Sequence, residues 1–294
     1  MKILVLGAAA GGGLPQWNCG CRNCADARAG IIPPQTQSAL AASGAKGAWV
    51  LLNASPDIRD QLARAPALRP AGLRGTPIEA VVLTNGDVDH VAGLLTLREK
   101  TGFELYATPE ILDALSRNPI FGVLDPTLVT RRPVALGGAI DAAGMRIETF
   151  AVPGKVPLYQ EAGEVKTAEI GETTIGLRLS AGGRIAYYIP GCAAVPDDLL
   201  ARLADADLLL FDGTVWENDE MPRLGAGAKT GLRMGHSPIS GPEGSLERLS
   251  GIKARKIYIH INNTNPIFQP DSPERQVLKR SGWEVAADGM EIEL

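Results

Sequence analysis

Histidine is scarce in this chain: 294 residues hold only three, His90, His236 and His260. Any imidazole chemistry is confined to those positions. Cysteine is nearly as rare. Of four, Cys19, Cys21 and Cys24 fall within six residues and Cys192 stands alone. A disulfide framework would spread its cysteines, and a chain of this size does not need one. No window approaches the roughly 20 apolar residues of a membrane-spanning helix. The apolar opening "KILVLG" is short and runs into glycines, which suits a buried first strand better than a signal peptide. There is no Lys/Arg-rich run and the net charge is −4, so no field exists to hold nucleic acid. These absences lead us to expect a cytoplasmic protein without membrane or nucleic-acid partners, with a homodimer left open.

A hydrophobic content of 45% and a charged content of 21% describe an ordinary globular protein. We expect one domain over 1–294. β-Rich runs fall at 2–7, 36–43, 48–54, 79–84, 103–107, 145–151, 173–180, 184–189, 207–212 and 256–261. Helical patterns fall at 57–65, 90–101, 109–116, 196–204, 241–250 and 273–281. "SAGGRIAYY" reads as a hairpin turning at Gly182-Gly183. Early strands arrive consecutively and helices intervene later, which predicts mixed sheets with helices outside. The stretch 153–166 is a loop long enough to cover a site.

The three histidines sit where sites gather. His90 follows the strand at 79–84, His236 lies in the loop "RMGHSPISG", and His260 lies near the end of "KIYIHINNTNP", just before a polar loop. Asn85, Asp87 and Asp89 precede His90 at alternating positions on a glycine-bearing turn. Anionic oxygens packed beside an imidazole call for a cation. The competing reading is a solvated turn whose aspartates favour a helix start.

"VVLTNGDVDHVAGL" resembles the signature T-H-x-H-x-D-H-x-x-G-L of the metallo-β-lactamase superfamily, with Asn85 and Asp87 in place of the first two histidines. "IPGC…FDGT", "GHSPIS" and "KIYIHINN" are similar to later segments of that superfamily. Over its whole length, through "PQWNCGCRNC", "NASPDI", "VPGKVPLY" and "IHINNTNPI", the chain resembles the B-protein family of pyrroloquinoline quinone (PQQ) biosynthesis. The C-terminal "WEVAADGMEIEL" is similar to the end of the carbon–phosphorus lyase accessory phosphodiesterase, which extends the fold match to a last strand. The resemblance implies an αββα sandwich, an α/β (α+β) arrangement of two mixed sheets with helices outside.

It also implies a metal centre. A binuclear hydrolase of this fold needs about seven ligands, and here Asn85, Asp87 and Cys192 replace three of them. Asp89, His90 and His260 remain as one ligand set. Two imidazoles and a carboxylate with open positions are the donor set of non-haem Fe(II) oxygenases, although zinc, copper or manganese would also fit. The family likeness implies iron-dependent hydroxylation, with O₂, of the tyrosine ring of a Glu–Tyr unit derived from a precursor peptide. A phosphodiesterase-like metallohydrolase and a carrier or transport protein for PQQ or its precursor stay as alternatives. By the same likeness Asp212 orients His236 for proton transfer, and Asp87 is either a further ligand or an acceptor beside the ligands. Lys155, Lys229 and Arg233 are candidates to hold substrate carboxylates. Cys192 either lines the site or is simply buried.

"CGCRNC" offers three thiolates, three corners of a tetrahedral structural zinc site in the loop at about 17–25. In the related phosphodiesterase a histidine completes such a site. Asn263 stands at that position here, which leaves the fourth ligand open among Asn263, water and another group.

Overall fold

A computed structural model describes all residues, Met1–Leu294. Two seven-stranded sheets pack face to face. The first holds β1 (Lys2–Gly7), β2 (Ala39–Ser43), β3 (Trp49–Leu52), β4 (Ile78–Val82), β5 (Phe103–Ala107), β6 (Val129–Pro133) and β14 (Glu291–Glu293). The second holds β7 (Ala139–Ala142), β8 (Met145–Gly154), β9 (Glu169–Ala181), β10 (Arg184–Ile189), β11 (Leu208–Asp212), β12 (Arg255–Ile259) and β13 (Trp283–Val285). Each sheet is antiparallel through its hairpins and parallel beyond them, the change falling at β3–β4 in the first and at β10–β11 in the second.

Alternation along the strands builds the layers. Val5, Leu40, Val50, Leu52 and Val82 from the first sheet meet Ile147, Leu177, Tyr188, Leu210 and Ile257 from the second in one buried cluster. The opposite faces are covered as well. Leu51, Val81, Leu83 and Leu105 lie with Ile58 of α2 (Ile58–Arg64, after α1, Arg22–Arg28). They also meet Ile111 and Leu115 of α4 (Pro109–Arg117), which follows α3 (Val88–Val91). Tyr187, Leu209, Phe211 and Tyr258 pack beneath α5 (Asp197–Arg202) and α9 (Pro273–Arg280). Between these run the short α6 (Glu220–Arg223), α7 (Gly231–Met234) and α8 (Ser245–Arg248). The architecture is the predicted αββα sandwich, and strands covered on both sides read as unbroken apolar runs such as "DLLLF".

Several expected elements differ. The helix predicted over 90–101 is α3 followed by a 3-10 segment, Ala92–Arg98. The Gly93 N–H bonds to the Ala54 carbonyl at 2.9 Å and so leaves the α-helical ladder. The helix predicted over 241–250 shortens to α8, and the strand predicted from 36 begins at Ala39. β6 and β7 escaped prediction because they are sheet edges, with polar or exposed residues and a proline in β6. The short α1, α6 and α7 carry too few residues for a visible period. The hairpin at Gly182-Gly183 is present, both glycines having positive φ (58° and 75°) as a type I′ turn requires.

The C-terminal stretch crosses from one sheet to the other. β13 pairs with β12, and β14 pairs with β1. Asp288 in the link accepts from the Ala8 N–H (3.0 Å), the Thr36 N–H (2.8 Å) and the Thr36 hydroxyl (2.6 Å). The sheets also touch where several parallel strands end. Asn85 bridges to Thr174, and Ala9 to Ile261. Polar side chains collect at that junction.

Candidate metal centre

The loop after β4, the end of β11 and the residue after β12 deliver the predicted site residues to one place. Asp87 begins α3 with an extended backbone, and its carbonyl accepts from the His90 and Val91 N–H groups at 2.9 and 3.1 Å. This turn sets Asp89 and His90 side by side. His260 follows β12 with φ 57°, a left-handed conformation that histidine tolerates better than bulkier residues do. The Asp89, His90 and His260 donors all lie within 4.8 Å of one another. Asp89 Oδ2 stands 3.1 Å from His260 Nε2 and 3.8 Å from His90 Nε2.

Neighbouring hydrogen bonds fix which ring nitrogens face the cluster. Asn85 donates from Nδ2 to Asp87 Oδ2 (2.9 Å), so its oxygen is free to accept. His90 Nδ1 lies 2.6 Å from that oxygen, Asn85 Oδ1, and therefore carries the hydrogen. His90 Nε2 is left with its lone pair, buried and without a partner. Stranding a buried polar atom costs about 1–3 kcal/mol, a cost that a bound cation would remove. His260 is held in the same way. Thr214 donates its hydroxyl hydrogen to Asp212 Oδ1 (2.6 Å) and accepts from His260 Nδ1 (2.8 Å). Nε2 of His260 then faces Asp89. This is the arrangement in which outer hydrogen bonds orient imidazoles for a metal, and the donor set fits one.

The electrostatics agree. Burial, reinforced by the neighbouring His260 and His236, pushes His90 down to about 4, so it is a neutral donor at physiological pH. Burial alone would raise Asp89, but the adjoining imidazoles hold it below the ordinary carboxylate range. Burial opposes charge on His260, yet its hydrogen bond to Asp89 and the surrounding carboxylates raise it. His260 Nε2 and Asp89 thus face each other at a spacing that a divalent cation between them would use.

Asp212 is fully buried and accepts four hydrogen bonds. They come from Cys192 N–H (2.9 Å), Thr214 N–H (3.0 Å), the Thr214 hydroxyl and His236 Nδ1 (2.7 Å). The predicted Asp212–His236 pair therefore exists, and no protein group bonds His236 Nε2. The His236 and His260 rings stack with centroids 5.0 Å apart. Asp212, His236 and His260 also cluster, but the Nδ1 atoms of the two histidines are already engaged with Asp212 and Thr214.

Asp87 is not among the three donors. It contacts Asn85, and burial and the Asp89 charge raise its carboxyl to about 6. Cys192 is buried with its thiol donating to the Ala194 carbonyl (2.9 Å), and burial raises it well above the ordinary thiol range. Its backbone serves the site and its sulfur does not. Lys155, Lys229 and Arg233 all converge on Glu161, a residue that sequence reasoning missed because "QEAGEVK" carries no motif. Thr214 was missed too, although it ends the "FDGT" run that marked Asp212.

The second predicted cluster also forms. The Cys19, Cys21 and Cys24 sulfurs lie within 4.8 Å of one another and form no disulfide. Burial opposes ionisation of Cys19, but the Cys21 N–H and neighbouring groups lower it, whereas burial pushes Cys21 up to about 11. Asn263 Nδ2 points at all three sulfurs, at 3.2, 3.6 and 3.3 Å, and its Oδ1 is buried without a partner. The two ends of an amide have the same shape. Turning this one would satisfy the stranded oxygen if a cation lay among the thiolates, so this cluster also fits a metal.

Residues 48–261 match the Beta-lactamase superfamily domain. The chain is 60% identical to coenzyme PQQ synthesis protein B of Ruegeria pomeroyi, with 100% of both chains covered. It is 54% identical to the Rhizobium meliloti protein of that name, covering 100% of this chain and 98% of the relative. Among solved structures it is similar to Zn²⁺-bound PqqB from Methylobacterium extorquens, with 51% identity, TM-score 0.98 and full coverage of both chains. A diphosphatase of the PhnP family shares the fold at 21% identity and TM-score 0.69, covering 100% of this chain and 97% of that one. With such identity across its whole length, the chain belongs to the coenzyme PQQ synthesis protein B family of the metallo-β-lactamase superfamily.

Proposed function

We propose that this protein is a mononuclear iron oxygenase of PQQ biosynthesis that hydroxylates the tyrosine ring of a Glu–Tyr precursor. The observation that carries this reading is the convergence of Asp89, His90 and His260, with Asn85 in the place of a further histidine ligand. The Asn85 amide binds His90 Nδ1 and therefore serves the ligand rather than a second metal. The related Methylobacterium protein is Zn²⁺-bound, which supports a divalent cation here, and the Cys19, Cys21, Cys24 and Asn263 cluster is proposed to hold a structural zinc. Fe(II) on the two-histidine, one-carboxylate set would supply O₂ binding and reduction.

The chain's own groups do the rest. Asp89 contributes the negative charge, and Asn85 and Thr214 keep both imidazoles aimed. Asp212 holds the Nδ1 hydrogen of His236, which leaves Nε2 to accept a proton from the ring or phenol of the substrate. His90 and His260 are 1% and 5% exposed, so the centre is shielded from bulk water. The reaction inserts one oxygen atom into a ring C–H bond. The second becomes water, with two electrons and two protons from an added reductant such as ascorbate.

The test uses anaerobically prepared, iron-loaded protein with Glu–Tyr peptide, ascorbate and O₂. Dissolved-oxygen uptake should match formation of a product with one added oxygen. His90→Ala and His260→Ala should abolish both and lose iron, while zinc at the cysteines stays. The Asp212–His236 pair would equally serve hydrolysis. Cleavage of bis(p-nitrophenyl) phosphate without oxygen uptake would replace our reading with a metallohydrolase. PQQ or precursor binding without turnover would replace it with a carrier.

A further inference from the structure

Three cations meet one carboxylate beside the centre. Lys155 Nζ lies 3.1 Å from Glu161 Oε1 and Lys229 Nζ lies 3.5 Å from Oε2. Arg233 grips both oxygens, Nη1 to Oε1 at 3.1 Å and Nη2 to Oε2 at 2.9 Å. The Lys155 and Glu161 side chains are only 10% and 11% exposed. One cation neutralises one carboxylate, so this group carries a surplus of two positive charges, with Lys155 sheltered and Arg233 and Lys229 reaching solvent. The hydrogen bonds from Arg233 hold Glu161 down to about 2, so it stays anionic.

The cluster borders the metal centre on two sides. Gly235, next to His236, packs on the Lys155 stem, and a Cβ there would stand 3.1 Å from Lys155 Cγ. Gly86, next to Asp87, lies under Pro157, and its carbonyl accepts from the Tyr159 hydroxyl at 2.9 Å. The segment 155–161 is thus a strap over the centre, tied to the metal-binding loop by Tyr159 and to α7 by Glu161.

We propose that Lys155, Lys229 and Arg233 form a subsite for a substrate carboxylate, and that Glu161 fills it as a built-in stand-in until a ligand displaces it. The paired N–H groups of Arg233 already show the bidentate grip that a carboxylate ligand would take over. Displacement of Glu161 also frees one end of the strap, so anion recognition and access to the metal are one event. The inference rests on the Glu–Tyr reading only for one choice of probe; the subsite itself takes a small carboxylate.

The test is calorimetric titration of iron-loaded protein without O₂. The probes are glutarate, Glu–Tyr, and the Gln–Tyr amide as a control without a carboxylate. Glu161→Gln removes the competitor and should tighten glutarate and Glu–Tyr about tenfold, because a ligand no longer has to select a minor open state. Arg233→Gln should weaken both about tenfold, through loss of the bidentate charge partner. Lys229→Gln, at a position 42% exposed, should weaken them less and guards against a folding defect at Arg233. The amide control should respond to none of these changes. A merely structural clamp predicts the same sign for Glu161→Gln and Arg233→Gln, since either loosens the strap. Equal signs, or no binding of either acid to wild type and Glu161→Gln, overturn the proposal. Oxygen uptake without opposite shifts removes the subsite and leaves the oxygenase. Opposite shifts without oxygen uptake do the reverse.

Discussion

Thr214 organises the centre without offering a metal ligand of its own. Its hydroxyl links the buried Asp212 to His260 Nδ1, while the same carboxylate holds His236. Thr214→Val keeps the shape and deletes the link, leaving a ring nitrogen of His260 with no acceptor. Affinity for metal at Asp89, His90 and His260 should fall about 10–100-fold, the usual effect of losing a partner behind a ligand. Chelator competition measures this, with the cysteine site as internal reference and Thr214→Ser as the restoring variant. Unchanged affinity in the valine variant would mean that His260 is oriented by other means. At this scale the sequence was a good guide to the imidazoles, because only three positions could supply them. Thr214 and Glu161 act through hydrogen bonds and ion pairs between distant segments, of which local sequence carries no trace, whereas Asn85 lies in the same motif as the His90 it holds.

Gly93 shows how a single contact reshapes an element. A Cβ at this position would stand 2.2 Å from the Ser55 carbonyl oxygen and 2.7 Å from that of Ala54. The backbone of the metal-binding loop rests directly on the end of β3, where Ala54 also donates to the His90 carbonyl at 2.8 Å. Gly93→Ala should destabilise the fold by about 1–3 kcal/mol, as overpacking does. It should also weaken iron binding, because the loop must lift. Thermal unfolding together with iron titration checks both, and an alanine variant with wild-type values would show that the loop can yield. The same contact explains why the apolar period at 90–101 misled. It resembled a helix, but the Gly93 donor is spent on Ala54. Strands at the centres of the sheets were legible because both of their faces are apolar. β6 and β7, at the edges, present too little buried surface to leave a pattern.

On the scale of the whole molecule, stability should decline toward neutral pH through Glu220. This side chain is 1% exposed, accepts from the Trp216 N–H at 2.7 Å and from the Thr264 hydroxyl at 2.5 Å, and burial raises it to about 7. Between the ordinary glutamate value of 4.5 and about 7 the folded chain keeps a proton that the unfolded chain has released. Stability therefore falls as pH rises through this window, by on the order of 3 kcal/mol for a fully realised shift. Glu220→Gln should flatten melting temperature against pH over that interval and be the more stable protein above it. Parallel curves for the two proteins would refute the assignment.

The crossing of residues 283–293 from one sheet to the other has a consequence for biosynthesis. β1 leaves the ribosome first, whereas its neighbour β14 is made nearly the whole chain later. A nascent chain exposes the thiols of Cys19, Cys21 and Cys24 long before Asn263 exists, and His90 long before His260. The last residue of each cluster is thus supplied only by the segment that follows β12, late in synthesis.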